Sequence, residues 1–270
     1  MTPMTTTGVA EFLDAAAARM RAPAPAPDGP LRCGIDLGTA TVVLTVVDGH
    51  AQPVYLDQVQ AEAVRDGVVV DFAGAAAAVR QLRERATEAL GTELTAAATA
   101  YPPGVAVADS RACRYVLEQA GLDCRGLVDE VSAARALLRV RDGAIADVGG
   151  GSTGVGVYRG GELVSLGDRP GGGHHLNLIL AGGLGVPVAE AERLKRTHAA
   201  DYTAVLKPGI ERIADNIGRL LGPRPDGPVH LVGGALMCPG AGRIVSRYLD
   251  HPVVEHPHAL LVTPFGIALS

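Results

Sequence analysis

The sequence predicts an α/β protein built from two related halves. A strand that ends in aspartate and runs into a glycine–threonine hairpin occurs twice, as Asp36-Leu37-Gly38-Thr39 and as Asp147-Val148-Gly149-Gly150-Gly151-Ser152-Thr153. Stretches of helical apolar spacing follow each copy, the alternation expected of α/β folds. A third glycine element, Gly233-Gly234, again follows an apolar strand. With 270 residues, 47% of them hydrophobic, the chain has enough apolar material for two such cores.

Residues 1–30 read as a separate leader. Val9, Phe12, Leu13, Ala16, Ala17 and Met20 fall at helical spacing and predict a short amphipathic helix over Gly8–Arg21. The alternating Ala-Pro run of Ala22–Pro30 predicts an extended, semi-rigid linker. Two readings stay open for the helix: a docking element for a partner, and a frayed N-terminal arm.

Leu31–Leu37 and Thr41–Val47 read as buried strands, with Asp48-Gly49 as a hairpin turn signal. Helices are predicted over Ala75–Leu90, Asp109–Ala120 and Ser132–Leu138. In the second copy, strands are predicted into Asp147, over Val155–Tyr158 and over Glu162–Leu166, with a turn at Arg159-Gly160-Gly161. Helices follow over His175–Leu180, Val188–His198 and Lys207–Leu221, the last with Pro208 in its first turn, a favoured position. His230–Val232 reads as a short strand into Gly233-Gly234.

Composition narrows the function. The formal net charge of −5 argues against a nucleic-acid or anionic-membrane surface, which needs clustered Lys and Arg. Of the 24 basic residues only Lys195 and Lys207 are lysines. Four widely spaced cysteines, without a Cys-x-x-Cys pair, point to reduced cytosolic thiols rather than to zinc or disulfides. No apolar run approaches the roughly 20 residues of a membrane span, and the N-terminus lacks the order of a signal peptide.

The glycines suit an anion. Backbone N–H groups in a tight glycine turn converge on phosphate, and the missing Cβ lets oxygens approach. The hydroxyls of Ser152 and Thr153 add donors. A carboxylate beside such a turn repels bare phosphate, so Asp36 and Asp147 are expected to hold Mg²⁺ through water. Two such turns, one per half, suit a polyphosphate clamped between the halves; the competing reading is that each merely starts a hairpin.

The order of these motifs resembles the actin/Hsp70/sugar-kinase superfamily of ATP-binding proteins, over Leu31 to Ser270. Asp36–Thr39 resembles its first phosphate loop and Asp147–Thr153 its second. Val232–Ala235 resembles its adenosine motif, and Asp129–Leu137 and Thr263–Leu269 resemble its two interdomain helices. Within that superfamily, the stretches Val64–Ala75, Tyr101–Gly104, Gly171–Leu178 and His256–Leu269 are similar to the EutJ-type, Hsp70-like proteins of ethanolamine-utilisation operons.

The resemblance implies an actin/Hsp70-like (ribonuclease H-like) two-lobed fold with reduced or missing upper subdomains. It implies a first half over 31–143, to which helix 262–270 returns, and a second half over 144–261. It implies binding of ATP or ADP with Mg²⁺ through Asp36, Gly38, Thr39, Asp147, Gly149, Gly150, Gly151, Ser152 and Thr153. It carries Glu192 and Lys195 to the ribose and adenine, with Gly233 and Gly234, and Glu130 to the attacking water. Glu130 also reads as an N-terminal helix charge, and Glu192 with Lys195 as a surface ion pair. Ala40 stands where Hsp70-type loops have a second threonine, and the first-lobe phosphate lysine has no match. These departures imply slow or absent hydrolysis: either a weak Mg-dependent ATPase with chaperone-like function, or a non-hydrolysing scaffold. The partner implied is an ethanolamine-pathway enzyme or a microcompartment shell protein, in the cytoplasm or associated with the compartment. Small residues Ala133, Ala134, Ala136, Gly266 and Ala268 are expected where the interdomain helices cross. His174 and His175 are expected in a structural or nucleotide-edge role, and His256 and His258 in an exposed loop.

Overall fold

A computed structural model describes residues 6–24, 27–61, 64–65, 68–105 and 107–270. Parts of two sequence readings, the Ala/Pro linker at residues 25–26 and the stretch from Val64 at residues 66–67, lie outside them. In chain order the elements are α1 (Thr6–Ala17), β1 (Arg32–Leu37), β2 (Thr41–Val47), β3 (Pro53–Gln60), the short pair β4 (Val64–Arg65) and β5 (Val68–Val69), α2 (Phe72–Leu90), β6 (Ala96–Tyr101), α3 (Val107–Gln119), β7 (Asp123–Asp129) and α4 (Glu130–Leu138). Then come β8 (Gly143–Val148), β9 (Ser152–Arg159), β10 (Glu162–Pro170), α5 (Gly173–Leu184), α6 (Val188–Thr197), α7 (Ala199–Leu221), β11 (Val229–Val232), α8 (Ala241–Leu249), β12 (Val253–Glu255) and α9 (Val262–Leu269).

The chain divides into two compact units, one of Met1–Arg139 with Leu260–Ser270 and one of Val140–Ala259. The boundaries fall at 139/140 and 259/260, where the sequence suggested 143/144 and 261/262. Arg139 ends α4 in a left-handed cap (φ 54°), and the buried Val140 already leads into β8.

Each unit holds one five-stranded sheet, in the orders β3-β2-β1-β6-β7 and β10-β9-β8-β11-β12. In each, the first three strands form an antiparallel meander and the last two join in parallel. The repeat in sequence is therefore a repeat in topology. The strands at the centre of each sheet read as near-continuous apolar runs because both faces are covered. In the first unit Cys33, Ile35 and Leu37 of β1 pack with Val79, Leu82 and Leu117 of α2 and α3. The intervening Gly34 faces α9, where a Cβ would lie 2.6 Å from the Ala268 nitrogen. In the second unit Ala146, Val148, Val155 and Val157 pack with Leu176 and Leu180 of α5 and with Ile210, Ile213 and Ile217 of α7. Helices α6 and α7 are separated by His198 alone. Between β3 and α2 the described residues hold only the β4–β5 pair.

Two sequence readings are corrected here. The leader is not separate: Val9, Phe12, Leu13 and Ala16 of α1 are buried in the first unit, and Phe12 meets Phe265 edge-on with centroids 5.5 Å apart. The chain after α1 hydrogen-bonds to β3, from Arg21 N to Leu56 O at 2.8 Å and from Leu56 N to Arg19 O at 3.1 Å. The buried Asp57 ties this contact down, with Arg21 Nε and Arg85 Nε at 2.8 and 2.7 Å. Helix α7 also begins at Ala199, so Pro208 lies in its interior. An interior proline costs about 3 kcal/mol. The apolar stripe of Leu206, Ile210, Ile213, Ala214, Ile217 and Leu221, all buried, offsets that cost.

Buried His256 and its half-buried neighbour His230 are expected to give the second unit an acid sensitivity. His230 Nδ1 and His256 Nε2 lie 3.1 Å apart in stacked rings, so His256 is buried rather than exposed as its Pro-rich surroundings suggested. Burial lowers both pKa values, that of His256 to about 4, with the charge of His230 as the smaller cause. A folded pKa below the unfolded value of about 6.5 means that the unfolded state binds the extra proton. The contribution is therefore full above about pH 6.5 and is lost as pH falls toward 4. Between pH 7 and 5 this is worth about 1–2 kcal/mol. Urea unfolding of wild type and His256→Gln at both pH values should show the smaller acid loss in the variant.

Candidate functional site

In the second unit three glycine segments meet at the turn that follows one aspartate. Asp147 is the penultimate residue of β8 and is buried. The turn after it is closed by Gly149 N donating to Ser152 O at 3.1 Å. Gly173 N and His174 N donate to the carbonyls of Gly149 and Gly150, at 2.9 and 2.8 Å, which lays the Gly171–Gly173 segment along the turn. Ala235 N donates to Val148 O at 3.1 Å and brings in the third segment. Glycine is required at two of these approaches. A Cβ on Gly172 would overlap the Gly149 carbonyl oxygen. A Cβ on Gly233 (φ +82°) would overlap the Val148 carbonyl oxygen and sit 2.6 Å from Asp147 Oδ1.

Lys195 joins the same place from α6. Its Nζ donates to Gly173 O at 3.1 Å, and burial lowers its pKa against the opposing charge of Glu192. Glu192 pairs instead with Arg196, one turn on, so the surface pair Glu192–Lys195 is not formed. Lys207, the other lysine, faces Glu211 at 3.6 Å.

The hydroxyl of Thr153, fully buried, donates to Gly171 O at 2.6 Å, so it braces the glycine segment. Sequence reading missed Asn216 on α7, which braces the same segment: its Nδ2 donates to Pro170 O at 3.0 Å, and its Oδ1 accepts from Arg169 Nε at 3.2 Å. A lone polar residue on the buried face of α7 was the available signal. His174 and His175 are exposed, and His175 Nδ1 accepts from Gly172 N at 3.4 Å. Among the described residues no group of three or more His, Cys, Asp or Glu is placed to hold a metal ion.

The first unit carries the equivalent hairpin. Asp36, half-buried, is the penultimate residue of β1 and lies opposite Val43, as Asp147 lies opposite Gly154. At Gly38 a Cβ would come within 2.8 Å of Thr41 O. Glu130 opens α4 beside the cap Asp129, whose carboxylate accepts from Ser132 N at 2.8 Å. The Cys113 thiol is pushed up to about 11, by burial first and then by the charges of Glu130 and Asp36. All four cysteines are free thiols. No helix among the described residues is long and apolar enough to cross a membrane.

No protein-family model matches the chain. The chain is 39% identical over 246 residues to the ethanolamine utilization protein EutJ of Salmonella typhimurium, covering 91% of this chain and 87% of the relative. The crystal structure of EutJ from Carboxydothermus hydrogenoformans superposes with a TM-score of 0.93 at 39% identity, covering 98% of this chain and 99% of the other. MreB5 of Spiroplasma citri, bound to ADP, is similar in fold alone, with a TM-score of 0.71 at 16% identity over 89% of this chain and 95% of the other.

Proposed function

Because the chain belongs to the family of the ethanolamine utilization protein EutJ and has the actin-like fold, we propose that it is an ATP-binding, chaperone-like protein of ethanolamine utilisation. The observation behind this reading is the meeting of Asp147 and its Gly149–Gly151 turn with the Gly171–Gly173 and Gly233–Gly234 segments. Three backbones without side chains, next to one buried carboxylate, suit a phosphate chain with its counterion. The ADP in the MreB5 structure supports nucleotide as the ligand of the shared fold.

In this reading Gly149, Gly150, Gly151, Ser152 and Thr153 contact phosphate, and Gly38 and Thr39 are the phosphate contacts of the equivalent hairpin. Glu192, Lys195, Gly233 and Gly234 serve the nucleoside. Asp36 and Asp147 hold the water shell of Mg²⁺, which when bound neutralises phosphate charge. Glu130 orients the attacking water. The partner is an ethanolamine-pathway enzyme or a microcompartment shell protein, met in the cytoplasm or at the compartment.

One observation favours a second reading, a non-hydrolysing scaffold. Both lysines belong to the second unit and are engaged with Gly173 O and Glu211, so no lysine of the first unit can stabilise a transferring phosphoryl group. Phosphate release from ATP·Mg²⁺ separates the two. Slow release that Glu130→Gln lowers about tenfold or more, with binding retained, supports the ATPase. Binding without release supports the scaffold.

A further inference from the structure

Helix α8 of the second unit carries Arg243 and Arg247 one turn apart on an exposed face. Like charges at that spacing destabilise a helix by a few tenths of a kcal/mol. Among the described residues neither guanidinium has a hydrogen-bond or ion-pair partner. Both line a hollow of about 710 Å³ with Gly242, Asp250, Val253 and Glu255, and both border a second hollow of about 350 Å³ with Thr203 and Ile244.

The acidic groups of the larger hollow are already engaged. Glu255 accepts from Gly242 N at 3.0 Å, and Asp250 pairs with Arg224 at 2.9 Å. Its other polar groups are engaged too, since Ser246 Oγ donates to His251 O at 2.8 Å and the His251 ring meets Gly227 O at 2.9 Å. Only Asp250 is neutralised by a cation; Glu255 keeps its charge under α8, so Arg243 and Arg247 against Glu255 leave the hollow with a net excess of one positive charge. Val253 and Glu255 of β12 line the hollow, and β12 is the last strand of its sheet, so among the described residues one side of its backbone has no strand partner. An open strand edge accepts an extended peptide through main-chain hydrogen bonds.

We propose that the groove between α8 and β12 binds an extended acidic segment of a partner polypeptide, which adds as a strand to β12 while its carboxylates pair with Arg243 and Arg247. The spacing supports it. Four residues of helix rise about 6 Å, and alternate residues of a strand stand about 6.6 Å apart on one face. Carboxylates at every second position therefore match the arginines, and Arg forks bind carboxylates bidentately. The proposal is independent of nucleotide binding.

The test uses the full chain and short fluorescein-labelled peptides read by anisotropy. One peptide alternates Glu with Thr and Val, a second replaces each Glu by Gln, and a third groups its Glu residues together at one end. The alternating peptide should bind about tenfold or more tightly than either other. It should lose about tenfold or more in Arg243→Ala/Arg247→Ala and little in Arg111→Ala/Arg114→Ala, an exposed arginine pair on α3 of the first unit. An Arg243→Glu/Arg247→Glu protein should instead prefer a peptide alternating Lys. Equal binding of the Glu and Gln peptides, equal loss in the two arginine pairs, no binding at all, or full displacement by equimolar inorganic phosphate would each overturn the proposal.

Discussion

Gly266→Ala should destabilise the first unit by about 3 kcal/mol or more. Helices α4 and α9 cross there at backbone contact. A Cβ on Gly266 would overlap the Ala133 carbonyl oxygen and lie 2.5 Å from its carbon. Neither atom is the end of a flexible side chain, so relief requires the helices to separate. Separation opens the pocket of Ala98, Ala100, Ala133 and Ile267 and disturbs Phe265 against Phe12. It also strains the bond from Thr45 Oγ1 to Pro264 O, 2.8 Å long. Urea unfolding measures the loss. A change below about 1 kcal/mol, no more than a helix-propensity effect, would mean that the crossing relaxes freely.

Gly233→Ala should weaken nucleotide binding about 100-fold, roughly 2.7 kcal/mol. The residue has a left-handed φ of +82°, and its added Cβ would push on both Val148 O and Asp147 Oδ1. Gly240→Ala is the matched control. It has a similar φ of +84°, with nothing within 4 Å of an added Cβ. It should therefore show backbone strain of about 1–2 kcal/mol in stability and near-normal affinity. Equal affinity losses in the two variants would reduce the effect to strain.

The parts of the fold legible in sequence are those fixed by local chemistry. Asp36 and Asp147 each stand one residue before the end of a strand that runs into glycine, and that signal sufficed to find both hairpins and the repeat of topology. The resemblance to EutJ-type proteins held over 91% of the chain in sequence and 98% in structure. What escaped depends on packing between distant segments. Pro208 reads as a helix start because local propensity penalises an interior proline, and only the buried stripe of α7 overrides it. Helix α1 reads as detached because the surfaces it meets, Phe265 and β3, lie far along the chain. The bracing bond of Thr153 is not legible because its acceptor, Gly171 O, is 18 residues away in sequence. Asn216 is invisible until α7 is set beside Pro170.

The central claim is that the glycine segments around Asp147 form a nucleotide site. Calorimetric titration of ATP·Mg²⁺ and ADP·Mg²⁺ into wild type and Asp147→Ala tests it most directly. The account predicts saturable binding to wild type and a loss of about tenfold or more in the variant, with stability otherwise retained. No heat with wild type at millimolar nucleotide, or equal affinity in the two proteins, would contradict it.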